Sequence, residues 1–261
     1  ALADVTGDGQ ADIIVGNSNQ ANQLLTSSCG GSFTASTLAG GSRDTRAIAV
    51  GDVTCSGDLS IVVGNAGSDA NQLLVGDGVG GFTASDLAGG SRDTRASAIG
   101  DVTGDGNFDV LTGNFGQSNQ VITRVCNGNF IAAELVGGSR DTTSLAVTHL
   151  GLSGTVDVVV GNAVQSDQLV TLTISECANN GFISFDLPGG ELESLVIAAG
   201  DLTCDGVEDL IVGNYGQPNQ ILVGDGAGGF SVATDLPGGS QSTTSISLTD
   251  VDGDGRADII V

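Results

Sequence analysis

Apolar residues in this chain come in short bursts separated by polar, glycine-rich segments. Ile61-Val-Val63, Val110-Leu-Thr112, Leu210-Ile-Val212 and Ile259-Ile-Val261 each follow an acidic loop, and the first three end on Gly-Asn. Runs of this length, rich in β-branched residues and bounded by Gly and Asn, predict strands joined by tight turns. No segment sustains the 3.6-residue apolar period over the ten or more positions that a helix needs, so almost no helix is expected.

The stretch from Arg95 onward displays one full period. A small apolar strand, Ala96-Ser-Ala-Ile-Gly100, leads into the loop Asp101 to Asp109, a second strand from Val110, and Gly113-Asn114. The polar turn Phe115-Gly-Gln-Ser118 and the pair Asn119-Gln120 precede a third strand from Val121. A Gly/Asn hairpin, Phe130 and a fourth strand ending at Gly137-Gly138 complete the unit. The loop recurs at Asp4, Asp52, Asp101, His149, Asp201 and Asp250, spaced by 48, 49, 48, 52 and 49 residues.

A period near 50 belongs to propeller-type arrays, and four short antiparallel strands per period make one blade. The expectation is an all-β propeller of four-stranded antiparallel blades occupying residues 1–261 as one domain or fragment, in a ring of six or seven blades. The first two strands occur six times but the last two only five, so the last blade is incomplete. Its open edge calls for more chain or for strands from a neighbouring molecule.

Composition narrows the partners. With 43 Gly, no Trp, no Met and a formal charge of −24, every basic residue being Arg, the chain is repelled by nucleic-acid phosphate and anionic lipid. No apolar run approaches the roughly 20 residues that span a bilayer. Cations are the natural partners. Glycan is poorly served, because sugar faces usually stack on aromatics and Tyr215 is the only Tyr beside no Trp.

The loop Asp250-Val-Asp-Gly-Asp-Gly-Arg-Ala-Asp258 has the chemistry of a calcium site. Carboxylates at positions 1, 3, 5 and 9, a backbone carbonyl at 7 and a glycine at 6 wrap hard oxygens around one cation. In phase with the surrounding strands, Gly-Asn and Asn-Gln pairs and Phe, it resembles the FG-GAP/VCBS repeats of integrin α-subunit-like β-propellers. The resemblance covers essentially the whole chain and implies a calcium-bearing propeller, commonly of seven blades, with each loop joining the first and second strands of its blade.

Carried over by position, the resemblance implies four metal sites. The ligands are Asp4, Thr6, Asp8, Gln10 (carbonyl) and Asp12, then Asp101, Thr103, Asp105, Asn107 (carbonyl) and Asp109. The fifth loop offers Asp201, Thr203, Asp205, Val207 (carbonyl) and Asp209; the sixth offers Asp250, Asp252, Asp254, Arg256 (carbonyl) and Asp258. Thr at position 3 brings a neutral ligand, so the sixth site is expected to bind tightest. The second loop, Asp52 to Ser60, lacks carboxylates at positions 5 and 9 and is expected to be empty or very weak; the fourth, His149 to Asp157, keeps only the last and is expected to be empty.

Two position-4 cysteines, Cys55 and Cys204, and the hairpin cysteines Cys29 and Cys177 suggest disulfides Cys29–Cys55 and Cys177–Cys204, at separations of 26 and 27 residues, with Cys126 left over. The premise is that each hairpin faces the metal loop of the following blade. Such bridges would place the protein in an oxidising, extracellular or cell-surface setting. The lone His149 has no zinc-type spacing. The Arg-Asp-Thr turns at Arg43, Arg92 and Arg140 read as local ion pairs bracing the turn, the alternative being a binding surface.

No nucleophile–base pair and no free carboxylate pair outside the metal loops points to catalysis. The sequence therefore reads as a non-enzymatic, calcium-stabilised structural or protein-interaction module, part of a cell-surface or filamentous assembly; the alternative is a carbohydrate-binding accessory propeller.

Overall fold

A computed structural model describes residues 1–28, 30–125, 128–150, 156–173 and 181–261. Cys29, Cys126 and Cys177 lie outside the described residues. The architecture is all-β, with no helix among the described residues, and consists of antiparallel sheets of propeller type.

The strands follow the repeat. The first blade is β1 (Leu2–Ala3), β2 (Asp12–Val15), β3 (Gln20–Ser28) and β4 (Ser32–Arg43), in that order; the second is β5 (Thr45–Gly51), β6 (Ser60–Asn65), β7 (Ala70–Gly76) and β8 (Phe82–Ser91). A six-stranded sheet follows, made of β9 (Thr94–Gly100), β10 (Asp109–Arg124), β11 (Phe130–Thr148), β12 (Asp157–Asn162), β13 (Gln168–Thr173) and β14 (Gly181–Asp186). Here β10 merges the second and third strands of its repeat, and β11 carries the fourth strand of one repeat into the first of the next. The fifth blade is β15 (Ser194–Gly200), β16 (Asp209–Asn214), β17 (Gln220–Leu222) and β18 (Thr234–Asp235); β19 (Ser247–Thr249) and β20 (Asp258–Ile260) form a two-stranded sheet.

The chain divides into two compact units, residues 1–101 with 105–134, and residues 102–104 with 135–261. In the first, Ile14, Leu24, Ile61, Val63 and Leu74 form one core cluster, and Val53, Val62, Leu73, Val110 and Ile122 form another. In the second, Val159, Leu169, Ile197, Leu210, Val212 and Leu222 pack together. Every residue of β6, β12 and β16 is buried. A strand covered on both faces has no solvent side, which is why these runs read as continuous Ile/Val/Leu and do not alternate.

Register fixes the loops. Ala3 pairs with Asp12, Gly51 with Ser60, Gly100 with Asp109, Thr148 with Asp157, Gly200 with Asp209 and Thr249 with Asp258. Each acidic loop therefore joins the first and second strands of its repeat, with its ninth residue opening the second strand.

Blades are tied to their successors by side chains. Gln72 Nε2 donates to the Gly40 carbonyl at 3.2 Å, and Gln120 Nε2 to the Gly89 carbonyl at 3.3 Å. Arg43 donates to the Ala70 carbonyl and pairs with Asp86 at 2.9 Å, while Arg140 donates to the Ser166 carbonyl and pairs with Asp186 at 2.8 Å. These contacts correct the sequence reading, in which Arg43, Arg92 and Arg140 brace their own turns. Their side chains reach the next blade, with Arg92 meeting Glu134, and the local pairs are made instead by Arg46 with Asp44 and Arg95 with Asp93.

Gly76 ends β7 opposite Phe82, where a Cβ would fall on the Leu59 carbonyl oxygen. Backbone cannot move aside as a flexible side chain can. Gly76→Ala is expected to cost about 2 kcal/mol and to lower the melting temperature by roughly 4–8 °C; an unchanged thermal melt contradicts the packing.

Candidate metal centre

The loops are built around the carboxylate at position 1. Asp4 Oδ1 accepts from the Gly7 and Asp8 amides and Oδ2 from Gly9 at 2.7 Å; Asp250 accepts from Gly253, Asp254 and Gly255 in the same way. Desolvation pushes the Asp4 carboxyl up, but the amides of Gly9, Asp8 and Gly7 and the Thr6 hydroxyl together outweigh it and hold the group below the ordinary carboxylate range. Position 5 pins the far side, since Asp8, Asp105, Asp205 and Asp254 each accept the amide two residues on, from Gln10, Asn107, Val207 and Arg256.

In the sixth loop Asp250, Asp252 and Asp254 each bring a carboxylate oxygen within 4.8 Å of the others. Three exposed anions held that close repel one another, and a hard divalent cation between them removes the repulsion and uses oxygens in the geometry calcium prefers. Among the described residues no other group of three is drawn together. In the first, third and fifth loops the third position is Thr, and Thr6 Oγ1 lies 3.4 Å from Asp4 Oδ1 and 3.2 Å from Asp12 Oδ2.

The ninth carboxylate has a second job that the motif does not reveal. Asp12, with none of its surface exposed, accepts from Val5 N at 3.2 Å and from Ser27 N on β3 at 2.9 Å. Asp209, equally buried, accepts from Leu202 N, Thr203 N and Gly224 N at 2.9, 3.0 and 3.0 Å. Asp157 and Asp258 take Leu150 N and Val251 N. Each pins the loop's second residue; Asp12 also binds β3, and Asp209 the Gly224 amide just beyond β17.

The second loop keeps the backbone shape without the charges. Asp52 accepts from Thr54, Ser56 and Gly57, and Ser56 Oγ accepts from Asp58 as Asp8 does from Gln10. At its ninth position the Ser60 hydroxyl is buried with no partner. Of the fourth loop, residues 151–155 lie outside the described residues.

The position-4 cysteines stand in the left-handed region, with φ of 56° at Cys55 and 60° at Cys204, and both thiols are free and exposed. The direction of the blades corrects the expectation that each hairpin faces the metal loop of the following blade. A Cβ on Gly7 of the first loop would lie 3.0 Å from the Gly78 carbonyl of the second blade's hairpin, and one on Gly80 would lie 3.1 Å from Thr6 Cγ2. Thr54 of the second loop likewise lines one cleft with Val125 and Gly128 of the third blade's hairpin. The first and second metal loops thus face the hairpin of the following blade. Cys55 points to the third blade, its Sγ 3.1 Å from Asn107 Oδ1. Cys55 and Cys204 are unbridged, and the partners expected for them, Cys29 and Cys177, lie outside the described residues.

At the other end of the strands the recurring Asn residues form a buried polar belt. Thr45 Oγ1 donates to Asn65 Oδ1 and Asn65 N to Asn71 Oδ1; Asn71 Nδ2 donates to Thr94 Oγ1, which donates to Asn114 Oδ1 at 2.8 Å. A turn role accounts for part of this pattern, but Asn71 also reaches the next blade.

The sequence model of the FG-GAP-like repeat matches residues 4–63 and 201–261. Those two stretches carry FG-GAP-like repeats. Both matched stretches run from an acidic loop into a buried or semi-buried second strand, so the FG-GAP-like signature coincides with the loops built on Asp4, Asp52, Asp201 and Asp250. A comparison with curated proteins gives no match. Among solved structures, BBS1N in complex with ARL6DN, soaked with lead, aligns with a TM-score of 0.51 and 11% identity over 96% of this chain and 84% of that one. The V. cholerae biofilm matrix protein Bap1 aligns with a TM-score of 0.56 and 18% identity over 95% of this chain and 42% of that one. At such identities the likeness is one of fold.

Proposed function

We propose that this FG-GAP-like propeller is a non-catalytic structural and protein-interaction module, held rigid by calcium and placed outside the cell or at its surface. The convergence of Asp250, Asp252 and Asp254 within 4.8 Å is the observation that carries the calcium part of the reading. Asp4, Asp101 and Asp201 with their position-5 partners Asp8, Asp105 and Asp205 supply poorer versions of the same cradle, with Thr in place of a third carboxylate. Calcium bound there would supply crosslinks between the two halves of each loop, stiffening the connection of first to second strand. The acidic charge of −24 supports the assignment, because four divalent ions would bring it to −16 and relieve self-repulsion.

The interaction part is supported by the fold comparisons, since one similar structure is of a protein complex and the other of a biofilm matrix protein. Titration calorimetry of calcium into the metal-free 261-residue chain tests the reading. The expected result is binding of about four ions, tightest at the sixth loop and weakened by Asp252→Ala, with dissociation constants of about 10⁻⁴–10⁻³ M as in extracellular modules. Absence of binding heat at 10-fold higher calcium, about 10 mM, overturns it.

A further inference from the structure

One member of the buried Asn belt is replaced by an acid. Four repeats place Asn22, Asn71, Asn119 and Asn219 ahead of the third-strand Gln; the fourth repeat places Asp167 there, ahead of Gln168. Asp167 Oδ1 accepts the Asn162 amide at 2.8 Å, as Asn71 Oδ1 accepts that of Asn65. The other atom differs. Asn71 Nδ2 is a donor to Thr94 Oγ1, whereas Asp167 Oδ2 lies 2.9 Å from Ser194 Oγ, which also lies 3.2 Å from Asn214 Oδ1. Ser194 has one hydroxyl proton and faces two acceptors.

A proton on Asp167 resolves the conflict, because Oδ2–H then donates to Ser194 Oγ and Ser194 donates onward to Asn214, reproducing the Asn71–Thr94–Asn114 chain. We propose that Asp167 is a proton-operated latch between the fourth and fifth blades, closed when its carboxyl is protonated and broken when it ionises. No water can stand in for the missing proton, since the gap lined by Pro188, Gly189, Leu192, Val212 and Gln220 beside Asp167 is too narrow to admit one.

The charged surroundings are sparse. Arg140 on β11, bonded to the adjacent Ser166 carbonyl and shared with Asp186 of β14, is the charged group whose field acts on Asp167; Asp141 on β11 and Glu193 ahead of β15 flank the site in sequence. Burial, opposed by Asn162 N, Ser194 and Arg140, raises the Asp167 carboxyl to about 6. An acid raised above its unfolded value of about 3.9 contributes stability that is complete below that value and is lost as pH climbs through about 6.

Thermal melts of the 261-residue chain and of Asp167→Asn, from pH 4.5 to 8 at fixed saturating calcium, test the latch. Asparagine is already the residue of the other repeats, so the variant is expected to exceed the parent by about 5-fold in the folding constant near pH 4.5 and increasingly through pH 6, up to about 100-fold at pH 7.5. A pH-independent difference, or a variant less stable than the parent at pH 7.5, overturns the proposal. Should the variant not fold, carbon-detected NMR titration of the Asp167 carboxyl in the parent decides: a midpoint near 6 supports the latch, and one below about 4.5 refutes it.

Discussion

Asp209→Ala is expected to lower the melting temperature by roughly 10 °C, in excess chelator as well as in calcium. The carboxylate accepts three backbone amides, those of Leu202, Thr203 and Gly224, and is completely buried. Each buried donor left without an acceptor costs about 1–3 kcal/mol, and a chain of this size loses about 2–4 °C per kcal/mol. Alanine orphans all three at once, and Asp209→Ser is expected to recover little of the loss, because the Ser60 hydroxyl at the same position of the second loop takes up no partner. The chelator arm distinguishes the two jobs of the residue. A loss confined to calcium-containing buffer would mean that Asp209 acts only as a metal ligand and that the backbone staple is worth nothing.

Removing calcium is the second large perturbation. A ligand bound only by the folded state stabilises it by mass action, about 2.7 kcal/mol per site at 100 times the dissociation constant. Sites at the weaker, Thr-containing loops contribute less, yet even two effective sites correspond to about 10 °C at this chain length. Melts in calcium and in chelator are therefore expected to differ by at least that much. Magnesium, which demands a tighter octahedral shell, is expected not to restore the difference. Superimposable melts with and without chelator contradict structural calcium.

Much of this was legible in the residues. The spacing of the acidic loops placed the blades, and the β-branched runs after them placed the buried second strands, because both features are local consequences of turn chemistry and burial. Orientation between neighbours was less accessible. Sequence alone suggested that each hairpin faces the metal loop of the following blade, whereas Gly7 of the first loop lies against Gly78 of the second blade's hairpin; the sense in which blades succeed one another is set by packing, and no single repeat encodes it. The same holds for Arg43 and Arg140, whose partners Asp86 and Asp186 are more than forty residues away.

The metal motif hid a different detail. Position 9 was expected to be one more ligand, and in the structure the buried carboxylates of Asp12 and Asp209 also accept backbone amides. Asp167 carried a signal that could have been read, an acid where four sibling repeats have Asn, but its meaning depends on Ser194 and Asn214 meeting it in the next blade.

The claim on which the rest depends is that the four intact loops are cation sites. Anomalous diffraction from crystals grown with terbium in place of calcium addresses it directly. Peaks are expected in the loops of Asp4, Asp101, Asp201 and Asp250, strongest between Asp250, Asp252 and Asp254, with none at His149 and little at Asp52. A map with no peak in any of the four acidic loops would contradict it.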